Sequence, residues 1–324
     1  MKRTVLLVFL ALVACSVSLN ASVAYAQRFP DRPIQLIVPN VPGSIMDINA
    51  RLLTEEMGKI LGTQIVALNK PGAASTLGTS ELVRSKKDGY TIGYLSASSV
   101  IYTRISNPEA VHYDPAKDLE PLGLHVFVPL TVTVQETSPW KTFPELVDHA
   151  RKNPGKLRVS TIGVGGIDHF NLEIIQSTAG VEFTHVPFKG GESVITALMG
   201  GHVEVTFDAF GKILPHADAG KLRMLLISKK MPGYEKIPTA TELGCKQDLL
   251  STWFAFYAPA GLPEDVKKSL VSAVQKTVTN PEFKAKAVKM GYVPEYKSPA
   301  DLSKLVAADY GVAGAIAKKI GVKK

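Results

Sequence analysis

The chain is short of the groups that usually carry chemistry. Its 324 residues hold two cysteines, Cys15 and Cys245. If Cys15 is removed with an N-terminal leader, Cys245 stands alone, and neither an internal disulfide nor a cysteine-based metal site is open to the protein. Beyond the leader no apolar run is long enough to span a bilayer. The seven histidines show no metal-ligand spacing. G-x-x-x-x-G-K-[ST], H-E-x-x-H and G-x-S-x-G are all missing. Gly163-Val164-Gly165-Gly166-Ile167-Asp168 loosely resembles a dinucleotide loop, but Asp168 stands where the last glycine belongs and no matching acidic residue closes the next strand. The formal charge of +8 is spread out, with one cluster at Lys318, Lys319, Lys323 and Lys324. A nucleic-acid protein would gather its charge with aromatics on one face. These absences argue against a metalloenzyme, a nucleotide enzyme, a serine hydrolase of the common type and a nucleic-acid binder. No metal, cofactor or nucleic-acid partner is expected.

The leader itself is well formed. Lys2 and Arg3 make its charged end, residues 5–13 its apolar stretch, and Ala24-Tyr25-Ala26 an A-x-A cleavage signal, so the mature chain would start at Gln27. A competing reading is a lipobox, Leu12-Val13-Ala14-Cys15, with Cys15 lipidated. Either way the protein is exported, and it does so without disulfides, which calls for a large core.

The mature sequence is rich in short Pro/Gly loops between strand and helix patterns. The central one is Pro39-Asn40-Val41-Pro42-Gly43-Ser44-Ile45-Met46-Asp47. It follows a buried-strand run at 34–38 and precedes a helical stripe of Ile45, Ile48, Leu52, Glu56 and Ile60. Ser44 suits an N-cap, with Asp47 three residues on as an acidic variant of the capping box. Such a loop presents unpaired N–H groups at the positive end of a helix, where an anion can sit; the plainer reading is a cap alone. Comparable loops follow. Lys70-Pro71-Gly72-Ala73-Ala74-Ser75 succeeds a strand at 64–69 and opens a helix near 76–85. Ser96 to Ser99 succeed a strand at 90–95. The 163–166 glycine loop succeeds a strand at 157–162 and opens a helix near 167–179, with His169 in its first turn. Lys189-Gly190-Gly191 succeeds a strand at 183–188. Asp208 ends a strand at 202–207 and could orient a ligand or cap the next helix.

Alternating strands and helices with such loops predict an α/β fold with mostly parallel sheets, whose ligands lie outside the carboxyl ends of the strands. Two α/β halves are joined by two long apolar runs, 125–135 and 252–258, which are candidate crossover strands. The expected division is a leader at 1–26, one lobe from 27–125 plus 252–324, and a second lobe from 126–251. One loop dipole contributes about 0.3–1 kcal/mol, and each hydrogen bond to a charged acceptor about 1.5–3 kcal/mol. Two loops from two lobes can therefore reach the ~8 kcal/mol of micromolar binding without an arginine.

A wider set of residues resembles a known family. Phe29-Pro30-Asp31-Arg32-Pro33-Ile34, Ile37-Val38-Pro39, Pro42-Gly43 with Asp47, Asn69-Lys70-Pro71-Gly72-Ala73, Asp88-Gly89-Tyr90-Thr91, Tyr113-Asp114-Pro115 with Asp118-Leu119, Asn153-Pro154-Gly155-Lys156-Leu157, His185-Val186-Pro187-Phe188-Lys189-Gly190 and Ala258-Pro259-Ala260-Gly261 occur in order along the mature chain. This is similar to the substrate-binding proteins of tripartite tricarboxylate transporters, also called Bug proteins. The resemblance implies a two-lobed periplasmic binding protein of the Venus-flytrap kind, not an enzyme, that closes on a small organic acid. It would act as a monomer and deliver the ligand to a membrane permease of one large and one small subunit. It also implies that backbone amides of the first loop and of a glycine loop in the other lobe hold a ligand carboxylate, often with bridging waters. Carried over, those positions are Gly43, Ser44, Ile45, Met46 and Asp47, and Thr161, Gly163, Val164, Gly165, Gly166 and His169. The loop residues Ser75, Ser96, Ser98, Lys189, Gly190 and Asp208 complete the expected ligand-binding set.

The sequence departs from the family where Ser44 replaces a second glycine, Met46 a small polar residue, and Ala74-Ser75-Thr76 a typical Gly-Gly-Asn. Val164 and Ile167 are also more apolar than usual. These departures suggest a ligand with an apolar or aromatic body rather than citrate. Two rival readings are a lipid-anchored sensor that signals its liganded state and an enzyme acting on an acid or ester.

Overall fold

The computed structural model describes residues 29–188 and 191–319. The leader with Cys15 and its cleavage signal, and also Lys189 and Gly190, lie outside the described residues. From Arg32 on, the chain builds two sheets with helices packed against them. The first sheet holds β1 (Ile34–Val38), β2 (Ile65–Asn69), β3 (Thr91–Ser96), β4 (Leu119–Val128), β10 (Thr252–Pro259) and β11 (Val293–Lys297) in the order β11-β4-β10-β3-β1-β2. The second holds β5 (Leu130–Gln135), β6 (Arg158–Ile162), β7 (Thr184–Phe188), β8 (Val205–Ala209) and β9 (Leu222–Ile227) in the order β7-β6-β8-β5-β9. Both sheets are mixed rather than mostly parallel. β1 runs parallel to β2 and β3, and β6 to β7 and β8. The strands that arrive from or leave for the other lobe run antiparallel to their neighbours.

The passage between lobes is made at a proline. The apolar run expected as one strand at 125–135 is two, broken at Pro129, which has no N–H to give either sheet. The chain thus changes sheets at Pro129 rather than at 125/126. β4 also begins earlier than the sequence suggests. Pro121 and Gly123 look like strand breakers, but two irregularities in the pairing with β10 accommodate them. Beside the passage, the Ser228 amide donates to the Leu130 carbonyl at 2.8 Å. The Ser228 hydroxyl accepts from the Leu130 amide at 2.9 Å and meets the Ser251 hydroxyl at 2.7 Å. The outgoing and returning chains are therefore tied side by side.

Helix α1 (Ile45–Leu61) starts where Ser44 caps it, accepting from the Asp47 amide at 3.3 Å, and stops at Gly62, whose φ of 70° ends the helical run. Its buried face is Met46, Ala50, Leu53 and Met57. The expected stripe is the wrong one: Ile48 is 52 % exposed, because the helix turns its smaller and sulfur-bearing residues toward the sheet. The remaining helices used below are α2 (Thr76–Val83), α3 (Phe143–Lys152), α4 (Ile167–Ala179), α5 (Gly191–Met199), α6 (Phe210–Asp218), α7 (Glu264–Thr279), α8 (Pro281–Lys289) and α9 (Pro299–Lys319). A π-helical turn, Ser98–Tyr102, runs into a short helix, Thr103–Ser106, directly after β3.

Helix α9 packs on β4 of the first lobe and on α4 of the second. One apolar core runs continuously through both lobes, with Leu302, Ala313 and Ala317 of α9 joining Phe170, Ile174 and Ile175 of α4. The Tyr102 and Phe170 rings, one from each lobe, lie 5.7 Å apart. Asn171 is fully buried and both donates to and accepts from the Leu250 backbone, at 2.9 and 2.7 Å. The lobes also meet at two glycines. A Cβ on Gly291 would lie 2.6 Å from the Gly211 Cα, and one on Gly211 2.5 Å from the Met290 carbonyl oxygen. Gly291 also has φ of 79°, where a side chain is strained. Gly291→Ala is expected to lower unfolding stability by about 2–4 kcal/mol, read as a drop in the urea midpoint. An unchanged midpoint would mean the two backbones do not touch.

Candidate functional site

The first loop is held from within. Asp47 is nearly fully buried, and its carboxylate accepts from the Gly43 amide at 2.9 Å, from Arg51 Nε at 3.1 Å and from Asn69 Nδ2 at 2.9 Å. Burial pushes this carboxyl up, but the bonds from Arg51, the Gly43 amide and Asn69 outweigh it and hold it below the ordinary range. Asp47 is thus occupied by its own loop. Its partners leave the first-turn amides of Ile45 and Met46 without a helical acceptor, on a wall formed by Gly43, Ser44, Ile45 and Met46.

The second loop is held in a comparable way. His169 turns its Nδ1 back to accept from the Gly165 amide at 3.1 Å. Its ring stacks on that of His185 at 4.3 Å, tilted by 13°. The Thr161 hydroxyl donates to the Gly163 carbonyl at 3.1 Å, so at its 2.5 Å contact with His185 it must accept the Nε2 proton. Burial lowers both rings, and neighbouring His169 helps bring His185 to about 4. The pair is neutral at physiological pH and keeps the loop shape there. Thr161, Gly163 and His169 therefore brace the loop, while Val164, Gly165, Gly166, Ile167 and Asp168 reach the cleft.

Between the two loops lies a cavity of 590 Å³. Asn40, Gly43, Ser44, Ile45 and Met46 line it from one lobe, and Gly166, Ile167, Asp168, Asp208 and Lys212 from the other. An adjoining cavity of 400 Å³ shares Ser98, Ile162 and Gly166 with it and adds Ala73, Ala74, Tyr102 and Val164. The expected residues Gly43, Ser44, Ile45, Met46, Ser98, Val164, Gly165, Gly166 and Asp208 are thus brought together. Ser96 is buried in β3, and neither it nor Ser75 is among the residues lining the cleft. Ala73, Ala74 and Ser75 all have positive φ, 46°, 50° and 74°, a strained run of the kind found at ligand clamps.

Among the lining residues that sequence reading missed, two are ionisable. Lys212, the cation among the described lining residues, lies one turn beyond Asp208 on α6. Asp168 sits in the first turn of α4, where sequence reads it as a glycine substitute. A larger concavity of 710 Å³ opens on the other side of the crossovers, but its lysines are spent on acids: Lys229 and Lys297 on Glu295, Lys230 on Glu242. Strand alternation separates the two spaces, with Phe127 and Ser251 facing one, Val128 and Thr252 the other.

Two lobes, a cleft between them and helix N-termini on its walls define a solute receptor. The comparisons with known proteins agree. Residues 49–322 match the model of the tripartite tricarboxylate transporter family receptor, and the chain belongs to that family, whose members are periplasmic solute-binding proteins rather than enzymes. It is 31% identical to the UPF0065 protein in the gbd 5' region of Cupriavidus necator, over 93% of this chain and 91% of the relative. A ligand-free solute-binding protein of the family from Polaromonas superposes with a TM-score of 0.80 at 25% identity, covering 90% of this chain and 99% of that one. An R. palustris protein solved with adipate superposes at 0.76 with 27% identity, covering 90% and 98%.

Burial raises the Asp168 carboxyl to about 7, nearby Asp208 adds to the rise, and the Ile162 amide and Lys212 pull the other way. An unfolded aspartate titrates near ~3.9. Between these values the folded chain keeps a proton that the unfolded chain has lost, so stability falls as pH climbs through that window. Asp168→Asn is expected to melt above the parent at about pH 8, with the gap closing toward about pH 4. Parallel curves at all pH values would show that the carboxyl is not burdened by burial.

Proposed function

We propose that the protein captures a small organic acid between its lobes in the periplasm and passes it to a tripartite permease with one large and one small membrane subunit. The observation that carries this reading is the pair of helix N-termini facing one cavity. The Ile45 and Met46 amides stand on one side, the first turn of α4 on the other. Each end favours an anion, and their loops are fixed in advance by internal bonds. In this reading the binding set is Gly43, Ser44, Ile45 and Met46 with Ser98, Val164, Gly165 and Gly166, extended by Asp168, Asp208 and Lys212. The lobes act as two bodies that separate at Pro129 and near Ser251, the ligand being held by contacts made only when they are closed. The adipate-bound R. palustris relative supports a carboxylate ligand.

The body of the ligand is apolar. Met46 and Ile167 line the main cavity, and Ile162 and Val164, 37 % and 66 % exposed, face the adjoining one. Asp168 also matters here. A second carboxylate could rest against it only while Asp168 is protonated, which favours monoacids, or diacids long enough to keep their far end away. A lipid-anchored sensor would share the same cleft, and the mass of the mature N-terminus, acylated Cys15 or free Gln27, separates the two. The function is tested by melting residues 27–324 against mono-, di- and tricarboxylates, aliphatic and aromatic. A ligand at 100 times its Kd adds roughly 2.7 kcal/mol, and the largest shift is expected from an acid with an aromatic or long-chain body. Citrate as the best ligand would remove the apolar-body assignment, and a flat panel on folded, ligand-free protein would remove the carboxylate assignment.

A further inference from the structure

A cavity of 460 Å³ lies in the first lobe, apart from the cleft. The sheet contributes Leu119 and Tyr257 to it, the helical segment after β3 contributes Val100 and Arg104, and α9 contributes Val306 and Tyr310. Its wall is mostly apolar. The one guanidinium is already paired, with Arg104 Nη1 2.7 Å from the Asp114 carboxylate. Tyr257 is 3 % exposed, yet its hydroxyl has no hydrogen-bond partner among the described residues. A buried hydroxyl left this way costs stability, and such groups in native proteins call for an explanation. Burial holds the phenol far above its ordinary range, so at physiological pH it is a donor.

We propose that this cavity is a second binding site, for a small, neutral, mostly apolar molecule whose carbonyl oxygen accepts the Tyr257 proton. A ketone, ester or amide meets those terms. A carboxylate does not, because it would give up its hydration where Arg104, the cation among the described lining residues, is already taken by Asp114. The site is connected to the cleft through one piece of chain. Val100 and Arg104 face the second cavity, while Ser98, Tyr102 and Ser106, on the opposite face of the same helical segment, line the cleft. Tyr102 in turn rests on Phe170 of the other lobe. An occupant would therefore lean on a segment that both lobes share.

The test titrates the purified chain by calorimetry with acetophenone and with α-methylstyrene, a match in shape that replaces the carbonyl oxygen with CH2. Acetophenone is expected to bind roughly three- to tenfold tighter. Tyr257→Phe, which removes an unpaired hydroxyl, should erase that difference while keeping or raising the Tm. Val306→Phe, which fills the cavity, should remove binding of both compounds. Binding of neither compound to the parent chain overturns the proposal. So does a preference that survives Tyr257→Phe, or binding that survives Val306→Phe, which would place the probes elsewhere.

Discussion

A helix cannot bond the amides of its own first turn, and in the proposed function that deficit becomes the ligand-binding surface. Two such turns, at Ile45 and at Ile167, stand on opposite sides of one cavity. What keeps them open is that the polar side chains around them are already committed. Asp47 is taken by Gly43, Arg51 and Asn69, and His169 by the Gly165 amide. The side chains of Asp47 and His169, which sequence reading places in the ligand-binding set, bond to amides of their own loops. In the proposed function, loops already held by such bonds would lose little freedom when an anion arrives, which keeps the entropic cost of binding low.

The rest of the fold sets how those surfaces can approach. Pro129 ends one sheet and lets the next begin, while the Ser228 and Ser251 hydroxyls tie the two crossing chains together. Helix α9 and the Tyr102–Phe170 contact join the lobes on a second line, and the Gly211–Gly291 contact on a third. Asp168 sets a chemical condition on the same space, because a buried carboxyl with Asp208 nearby is charged only above about pH 7.

Much of this was legible in the sequence because loops and caps are local. Ser44 before an apolar run, Gly62 after it, and Pro/Gly loops at strand ends carry their own geometry, and the order of family motifs fixed the two-lobed arrangement. Less legible was whatever depends on distant packing. On α1 the apolarity of Ile45, Ile48 and Ile60 outweighs that of Met46 and Ala50 and points to one face, yet the core takes the other. The start of β4 was hidden by Pro121 and Gly123, which the pairing with β10 absorbs through irregular register. Lys212 gives no local signal, and Asp168 reads locally only as a replaced glycine. Only the meeting of α4 and α6 at one cavity shows that both belong to it.

The central claim is that backbone amides of two facing helix ends hold the ligand. It is tested most directly by following amide NMR shifts of the labelled chain as a bound carboxylate is added. The account predicts the largest shifts at Ile45, Met46, Gly166 and Ile167, from both lobes together and saturating at one ligand per chain. Shifts confined to one lobe, or centred on the lysine-lined groove around Lys229 and Lys297, would contradict it.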